Sequence, residues 1–526
     1  MQNIINKFER LTDITVALTS EHDTTELLEK ILFGAISLTN ADGGTIYKVF
    51  PNDSIRIEII YSNSLNMRFS DSRKHADAQP HIPLFTQEGE LNLNNVVSYA
   101  YHHDKTLNIA NAYDTKDFDF QGTKIFDAQN HYRSISFLTI PLKNHEHETV
   151  AMLQLINAMD RKTGQVIPFD AVAQRFCESL ASQAATVLTK QQLIITLEQM
   201  FESMISLIAQ ALDAKSPYNG GHCHRVPELT LMIAEAAHNT SEGYLKEFTL
   251  SEADRYELKI AALLHDCGKI TTPEYIVDKA RKLETICDRI ALVQTRFEVL
   301  KRDAHIALLQ QENQALKQGR TVADEDIANT LKTIVEQLNE DLAFLEMCNT
   351  GGEFMSPDKI AHLSRLRQKT WQLKGQSYPL LSDDEFDNLR ISRGTLNDHE
   401  RKVINNHISV TIAMLNQIQW PKHLKNVTTY AGGHHERIDG KGYPNGLTRE
   451  EMPIQARAMA LADVFEALTA SDRPYKSGKK LSEALLILQK MREEGHIDPD
   501  LHDAFIKHNV HKKYAQAFLS CEQIDI

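Results

Sequence analysis

Cysteine is scarce and unpaired in this chain: six residues among 526, at positions 177, 223, 267, 287, 348 and 521, none in a Cys-x-x-Cys spacing. That argues against a structural zinc module and against a disulfide framework, so a reducing cytoplasm is the expected setting. Long apolar runs are missing too. No uninterrupted stretch approaches the ~20 residues that span a bilayer, and Lys7, Glu9, Arg10 and Asp13 interrupt any signal-peptide core. The expectation is a protein that does not enter a membrane. Positive charge is in deficit, with a formal net charge of −14, which argues against a nucleic-acid polymer as partner. An anionic ligand must then be caught locally. What remains, 42% hydrophobic and 24% charged residues, is the composition of an ordinary globular protein with room for two or three domains.

Histidine is plentiful, at 23 residues. Most, including His102, His103, His305, His423 and His511, read as surface or hydrogen-bonded groups, but a subset stands in patterned company. His265-Asp266 closes an apolar, helix-like run from Lys259. Adjacent helical side chains diverge by about 100°, so the two would serve different partners unless the carboxylate bridges two metals. Lys269 follows on the same side and could steady a bound anion or pass a proton. His222 follows a glycine-rich turn that would open a helix, and His407 stands alone. His434-His435-Glu436 precedes Asp439-Gly440-Lys441-Gly442-Tyr443-Pro444. Asp463 sits on an otherwise apolar helix over 456–468, where a lone carboxylate calls for a cation. Cys223 and Cys267 flank these residues, and Cys267 reads as core packing.

In this order and spacing the residues resemble the HD-GYP phosphodiesterases, a branch of the HD hydrolase superfamily that opens cyclic di-GMP. The resemblance covers about 205–526 and includes Gly-His-x-x-Arg-Val at 221–226 and Arg473-Pro474-Tyr475-Lys476. It implies that His222, His265, Asp266, His407, His434, His435 and Asp463 bind metal, with Asp266 bridging and Lys269 as the catalytic helper. Gly442, Tyr443 and Pro444 would border the substrate, and Arg473 and Lys476 would meet its non-bridging phosphate oxygens. Two divalent ions are implied, iron or manganese, which suit imidazole and carboxylate ligands. They would activate a water for in-line attack on phosphorus, so no nucleophilic side chain is needed. A third metal stays open, because some members use a glutamate four residues before the first histidine, where this chain has Tyr218. Glu466 is another departure, standing where many members have aspartate.

Over about 20–170, alternating or apolar runs at 45–50, 55–61, 134–142 and 150–156 predict an antiparallel sheet flanked by helices. With the helical Leu27-Leu28 segment they resemble a GAF sensor domain, which implies an unidentified small-molecule ligand. Asn157 and Phe169-Asp170 are faintly similar to a cyclic-nucleotide motif, although Ala158 replaces its lysine. Asn111 and the stretch 113–120 could line a pocket, against the simpler reading of an exposed loop. Leu193, Leu197, Met200, Met204 and Leu207 carry the a/d pattern of a coiled coil, which predicts a homodimer. Between 280 and 395 two further stripes, Ile286 to Leu300 and Leu331 to Leu345, predict an inserted antiparallel helical hairpin.

The expected architecture is an α+β GAF-like domain (1–170), a connecting dimerisation helix (171–204) and an all-α HD-superfamily catalytic domain (205–526) with the insertion at 280–395. The expected activity is metal-dependent hydrolysis of cyclic di-GMP to the linear dinucleotide and onward to GMP. The alternatives are hydrolysis of 3'3'-cyclic GMP-AMP and non-catalytic cyclic dinucleotide reception.

Overall fold

The computed structural model describes residues 2–19, 21, 23–50, 54–70, 81–215, 221–319, 323–352, 354–471 and 478–526. It divides into two compact units, Met1–Phe201 and Glu202–Ile526.

In the first unit, helices α1 (Gln2–Thr19) and α2 (Thr24–Thr39) precede strands β1 (Ala41–Phe50), β2 (Ser54–Ser62), β3 (Met67–Ser70) and β4 (His81–Pro83). Then follow α3 (Val96–His103), β5 (Leu107–Ile109), α4 (Gln121–Asn130), β6 (Phe137–Lys143), β7 (Thr149–Met159) and β8 (Val166–Ile167). The antiparallel sheet runs β3-β2-β1-β7-β6-β5. Asp23 caps α2 by accepting from the backbone N–H groups of Thr25 and Glu26, and Asn40 ends it in the left-handed conformation at φ 56°. Leu27, Ile31, Leu32, Ala35 and Leu38 then share one face, which packs on Ile46, Leu138, Ile140, Leu153 and Leu155 of the sheet. The pleat sends Tyr47 and Met152 to the opposite face, against Val97 and Ala100 of α3.

The side chain of Asn157 is used up by its own domain. Its Oδ1 accepts from the backbone N–H of Ile135, 2.7 Å away, and its Nδ2 donates to Arg133 O and Tyr132 Oη. Asn111 is likewise engaged in a local turn with Tyr113 and Asp114.

Helix α5 (Ala171–Lys215) begins against the core of the first unit, with Cys177, Leu180, Ala181 and Ala184 buried, and its last turns belong to the second unit. The second unit continues with α6 (His222–His238), α7 (Glu252–Leu264), a 3-10 turn (Cys267–Thr271) and the short α8 (Glu274–Val277). Next come α9 (Ile290–Lys317), α10 (Asp324–Asn349), α11 (Pro357–Gln368), a hairpin of β9 (Thr370–Leu373) and β10 (Gln376–Pro379), and α12 (Asp383–Leu389). Helices α13 (Asp398–Asn405), α14 (His407–Leu415), α15 (Val427–Gly432), α16 (Ile454–Thr469), α17 (Leu481–Glu493), α18 (Pro499–Lys507) and α19 (Val510–Phe518) complete it. Its main core joins Leu229 and Ile233 of α6 to Leu461 and Phe465 of α16, with Leu488, Leu501, Phe505 and Tyr514 closing round them.

The inserted segment has its own core. Val293 and Phe297 of α9 meet Leu338 and Leu345 of α10, as the two stripes predict, but α11, α12 and the connection before α12 add Leu363, Leu366, Leu389 and Leu381 to it. The segment is therefore larger than a hairpin. Ile286 departs from the expectation: it precedes α9 and is 98% exposed rather than part of the stripe. At the base, the buried Lys279 ammonium donates to Glu400 at 2.7 and 2.8 Å and to Asn388 at 3.1 Å, joining the two ends of the segment. Removing the Phe297 ring is expected to cost about 3–5 kcal/mol. Amide exchange should show the loss in α9 and α10 and leave α6 and α16 protected.

Candidate metal centre

Helix α7 ends at Leu264, so His265 and Asp266 sit where the chain turns into the 3-10 segment, with Asp266 at φ −103° and ψ 8°. The 100° divergence expected of helical neighbours therefore does not apply, and both side chains point to one centre. His222, the first residue of α6, joins them. Its Nε2 lies 3.3 Å from Asp266 Oδ2, 3.3 Å from His265 Nε2 and 3.4 Å from Asp463 Oδ1 on α16.

The second oxygen of Asp266 faces another group. Oδ1 is 3.2 Å from His407 Nε2, at the start of α14, and 3.9 Å from His434 Nε2. His407, His434 and His435 offer donor atoms within 4.8 Å of one another, as do His222, His265 and Asp266. Asp266 Oδ1, His407 Nε2 and His434 Nε2 are buried and have no hydrogen-bond partner among the described residues. Leaving three such atoms unsatisfied is costly, and a cation between them removes the cost. The imidazole and carboxylate donors fit metal binding.

Each imidazole is aimed from behind. The Nδ1 atoms of His265 and His434 are fixed on the carbonyl three residues earlier, Ala262 O at 2.7 Å and Ala431 O at 2.6 Å, and His407 is held by Ile404 O. The Nδ1–H of each then donates to the carbonyl, leaving Nε2 as the inward donor. His222 uses a carboxylate instead: its Nδ1 is 2.6 Å from Oε2 of Glu466, whose Oε1 accepts from Arg225 at 2.8 Å. Glu466 is fully buried behind the histidine. The sequence signal for this role was its position three residues, almost one helical turn, after Asp463.

Electrostatics agree with the geometry at Asp266, Lys269, His434 and His435, whereas at His222 burial is outweighed by the Asp266 and Glu466 carboxylates, which raise the imidazole to about 10. Burial opposes ionisation of Asp266, but Lys269 and His265 overcome it and hold the carboxyl well below its ordinary range. The Lys269 ammonium is 2.6 Å from Asp266 Oδ2, and Asp266 and Asp463 keep it cationic against burial. Burial pushes His435 down to about 4 and His434 well below its usual value, so both are neutral donors near pH 7.

Two local devices hold these pieces in place. A Cβ on Gly268 would lie 2.0 Å from His407 O and 2.6 Å from the Thr411 backbone nitrogen, so only glycine lets α14 approach the 3-10 turn. Thr411 adds to the contact by accepting from the Gly268 N–H at 2.9 Å. Glu436, which sequence reading left without a role, accepts from the N–H groups of Asn445 at 2.7 Å and Leu447 at 2.9 Å, folding the Gly442-Tyr443-Pro444 loop against the histidines. Tyr443 stacks on His435 with ring centroids 4.9 Å apart. Arg473, Lys476 and Tyr218 lie outside the described residues.

Comparison with known proteins agrees with this arrangement. A GAF domain model matches residues 23–188, and HD domain models match 219–341 and 384–501. The chain is 51% identical over 75 residues to the cyclic di-GMP phosphodiesterase PA4108 of Pseudomonas aeruginosa, covering 14% of this chain and 17% of that one. It is 27% identical over 224 residues to the cyclic di-GMP phosphodiesterase response regulator RpfG of Xanthomonas campestris, covering 40% and 58%. It is 23% identical over 372 residues to the 3'3'-cGAMP-specific phosphodiesterase 3 of Vibrio cholerae, covering 69% and 53%. The chain thus spans between 17% and 58% of the length of these curated relatives.

Glu466→Gln is expected to weaken metal affinity about 10- to 100-fold by loosening the aim of His222, as read by chelator competition. Gly268→Ala should lower both metal content and thermal stability, since the helix backbone it strikes cannot move aside cheaply. The chain is a GAF-like domain followed by a mostly helical HD domain region, with His265-Asp266 beside the Gly442-Tyr443-Pro444 loop.

Proposed function

We propose that this protein is a metal-dependent cyclic dinucleotide phosphodiesterase that hydrolyses cyclic di-GMP, under the control of its GAF domain. The observation that carries the reading is Asp266, whose two oxygens face two separate sets of imidazole donors. His222, His265 and Asp463 would hold one ion and His407, His434 and His435 the other, with iron or manganese suited to these ligands. Bound ions supply Lewis acidity and a nucleophile at neutral pH.

The chain's own residues do the rest. Lys269 presents a fixed positive charge beside Asp266, where a phosphodiester oxygen can meet it. Tyr443 stacks over His435, and Glu436 holds the loop that follows it. Arg473 and Lys476 are proposed to contact the remaining phosphate oxygens, a fork and a point charge. A chain of net charge −14 needs such local cations to bind an anionic substrate.

Hydrolysis of 3'3'-cyclic GMP-AMP is the second reading, favoured by the relative specific for that substrate, whose match covers 69% of this chain. Chromatography of products from anaerobically purified, Mn(II)- or Fe(II)-loaded protein separates the two. Faster conversion of cyclic di-GMP to the linear dinucleotide supports the main reading, and faster conversion of the mixed dinucleotide supports the second. Binding without turnover of either would make the protein a receptor. His265→Ala with Asp266→Ala should abolish hydrolysis, and unchanged turnover would refute the assignment.

The protein is further proposed to be a homodimer through α5. Leu193, Leu197, Met200, Met204 and Leu207 are 50–63% exposed at heptad spacing, an apolar seam that a second copy would cover. Light scattering should give twice the chain mass, and Met200→Lys with Met204→Lys should shift it towards one.

A further inference from the structure

Lys215 is the last residue of α5, and its ammonium donates to three backbone carbonyls: Lys269 O at 3.1 Å, Thr272 O at 2.7 Å and Ile270 O. Those carbonyls end the 3-10 turn Cys267–Thr271, whose first residue follows Asp266 and whose third is Lys269. Lys269 O already accepts from the Thr272 N–H, and the ammonium adds to it, a cation at the carbonyl end of such a turn being favoured electrostatically. The three N–H bonds of the ammonium match the three acceptors, so the contact is saturated.

Other residues of the same helix end reach the same place. Leu212 and Lys215 line a small enclosed cavity together with Asp266, Lys269, Cys223 and Glu274. Asp213 lies beside the Cys223 thiol, next to His222 in the chain. The end of α5 therefore adjoins both chain segments that bring His222 and Asp266 together.

We infer that Lys215 is a positioning residue: it fixes the turn that carries Lys269, and through it the end of α5 sets the alignment of Lys269 with Asp266. The ammonium of Lys215 bonds the backbone of the turn rather than the oxygens of Asp266. A rotation or axial shift of α5 that withdraws the ammonium would remove its bonds to three carbonyls at once and loosen the turn. This gives the helix that begins in the GAF core a specific point of action, rather than a diffuse effect on stability. The kinetic part of the inference rests on the phosphodiesterase reading; the structural part does not.

The test uses the full chain with Mn(II), as wild type, Lys215→Met and Lys215→Arg. Hydrogen exchange would follow the amides of Gly268, Lys269 and Thr272, all hydrogen-bonded. In Lys215→Met these amides should exchange about tenfold faster, in proportion to the lost charged hydrogen bonds, with protection in α16 and α18 unchanged. Turnover should fall about tenfold with KM little changed, and Lys215→Arg should restore most of both. Unchanged exchange at 268–272 in Lys215→Met would overturn the inference. So would a uniform rise across the unit, which would make Lys215 a general stabiliser. Wild-type protein that turns over no cyclic dinucleotide would sink the phosphodiesterase reading alone, because the exchange result still judges the role of Lys215.

Discussion

The site depends on one carboxylate serving two sides. Asp266 is almost wholly buried, with Oδ2 towards His222, His265 and Lys269 and Oδ1 towards His407 and His434. A buried carboxylate without compensation is costly, so its surroundings must supply positive charge and donors. Lys269 supplies one charge from within the chain, and the unpartnered Oδ1 leaves room for more. Several features of the second unit follow from that need: a helix that stops at His265, a glycine at 268 that admits α14, and carbonyls that turn three imidazoles inward.

Much of this was legible in the sequence. The seven proposed ligands follow from the family resemblance that their order and spacing carry, and the structure brings His222, His265, Asp266, His407, His434, His435 and Asp463 close together. The four long strands were visible because alternation along 45–61 and 137–156 matches a sheet with one face on α2 and the other on α3. What escaped were relations between distant residues. Glu466 looks like a family departure in the sequence, and only packing of α16 against α6 reveals that its carboxylate aims His222 and grips Arg225. Glu436 is invisible for the same reason, since its partners are backbone N–H groups with no sequence signature. The inserted segment was underestimated because heptad stripes announce α9 and α10, whereas α11 and α12 are short and take their meaning from the core they close.

The two units divide the work in physical terms. The first is a sheet sandwiched between helices, in which Asn157 and Asn111, candidates for ligand contact, are spent on holding their own loops. The second buries charge at the histidine and aspartate centre, at the Lys279–Glu400 clamp beneath the insertion, and in the Arg457–Asp498 and Arg296–Glu385 pairs. Helix α5 is the element that belongs to both, apolar and exposed along 193–207 and ending on the carbonyls of the 3-10 turn.

The most direct measurement of the central claim is the metal content per chain of anaerobically reconstituted wild type and Asp266→Asn. Two transition-metal ions per wild-type chain, with loss of both in Asp266→Asn, would be the signature of a carboxylate shared between two positions. One ion in the wild type, or retention of two in the variant, would contradict a bridging Asp266.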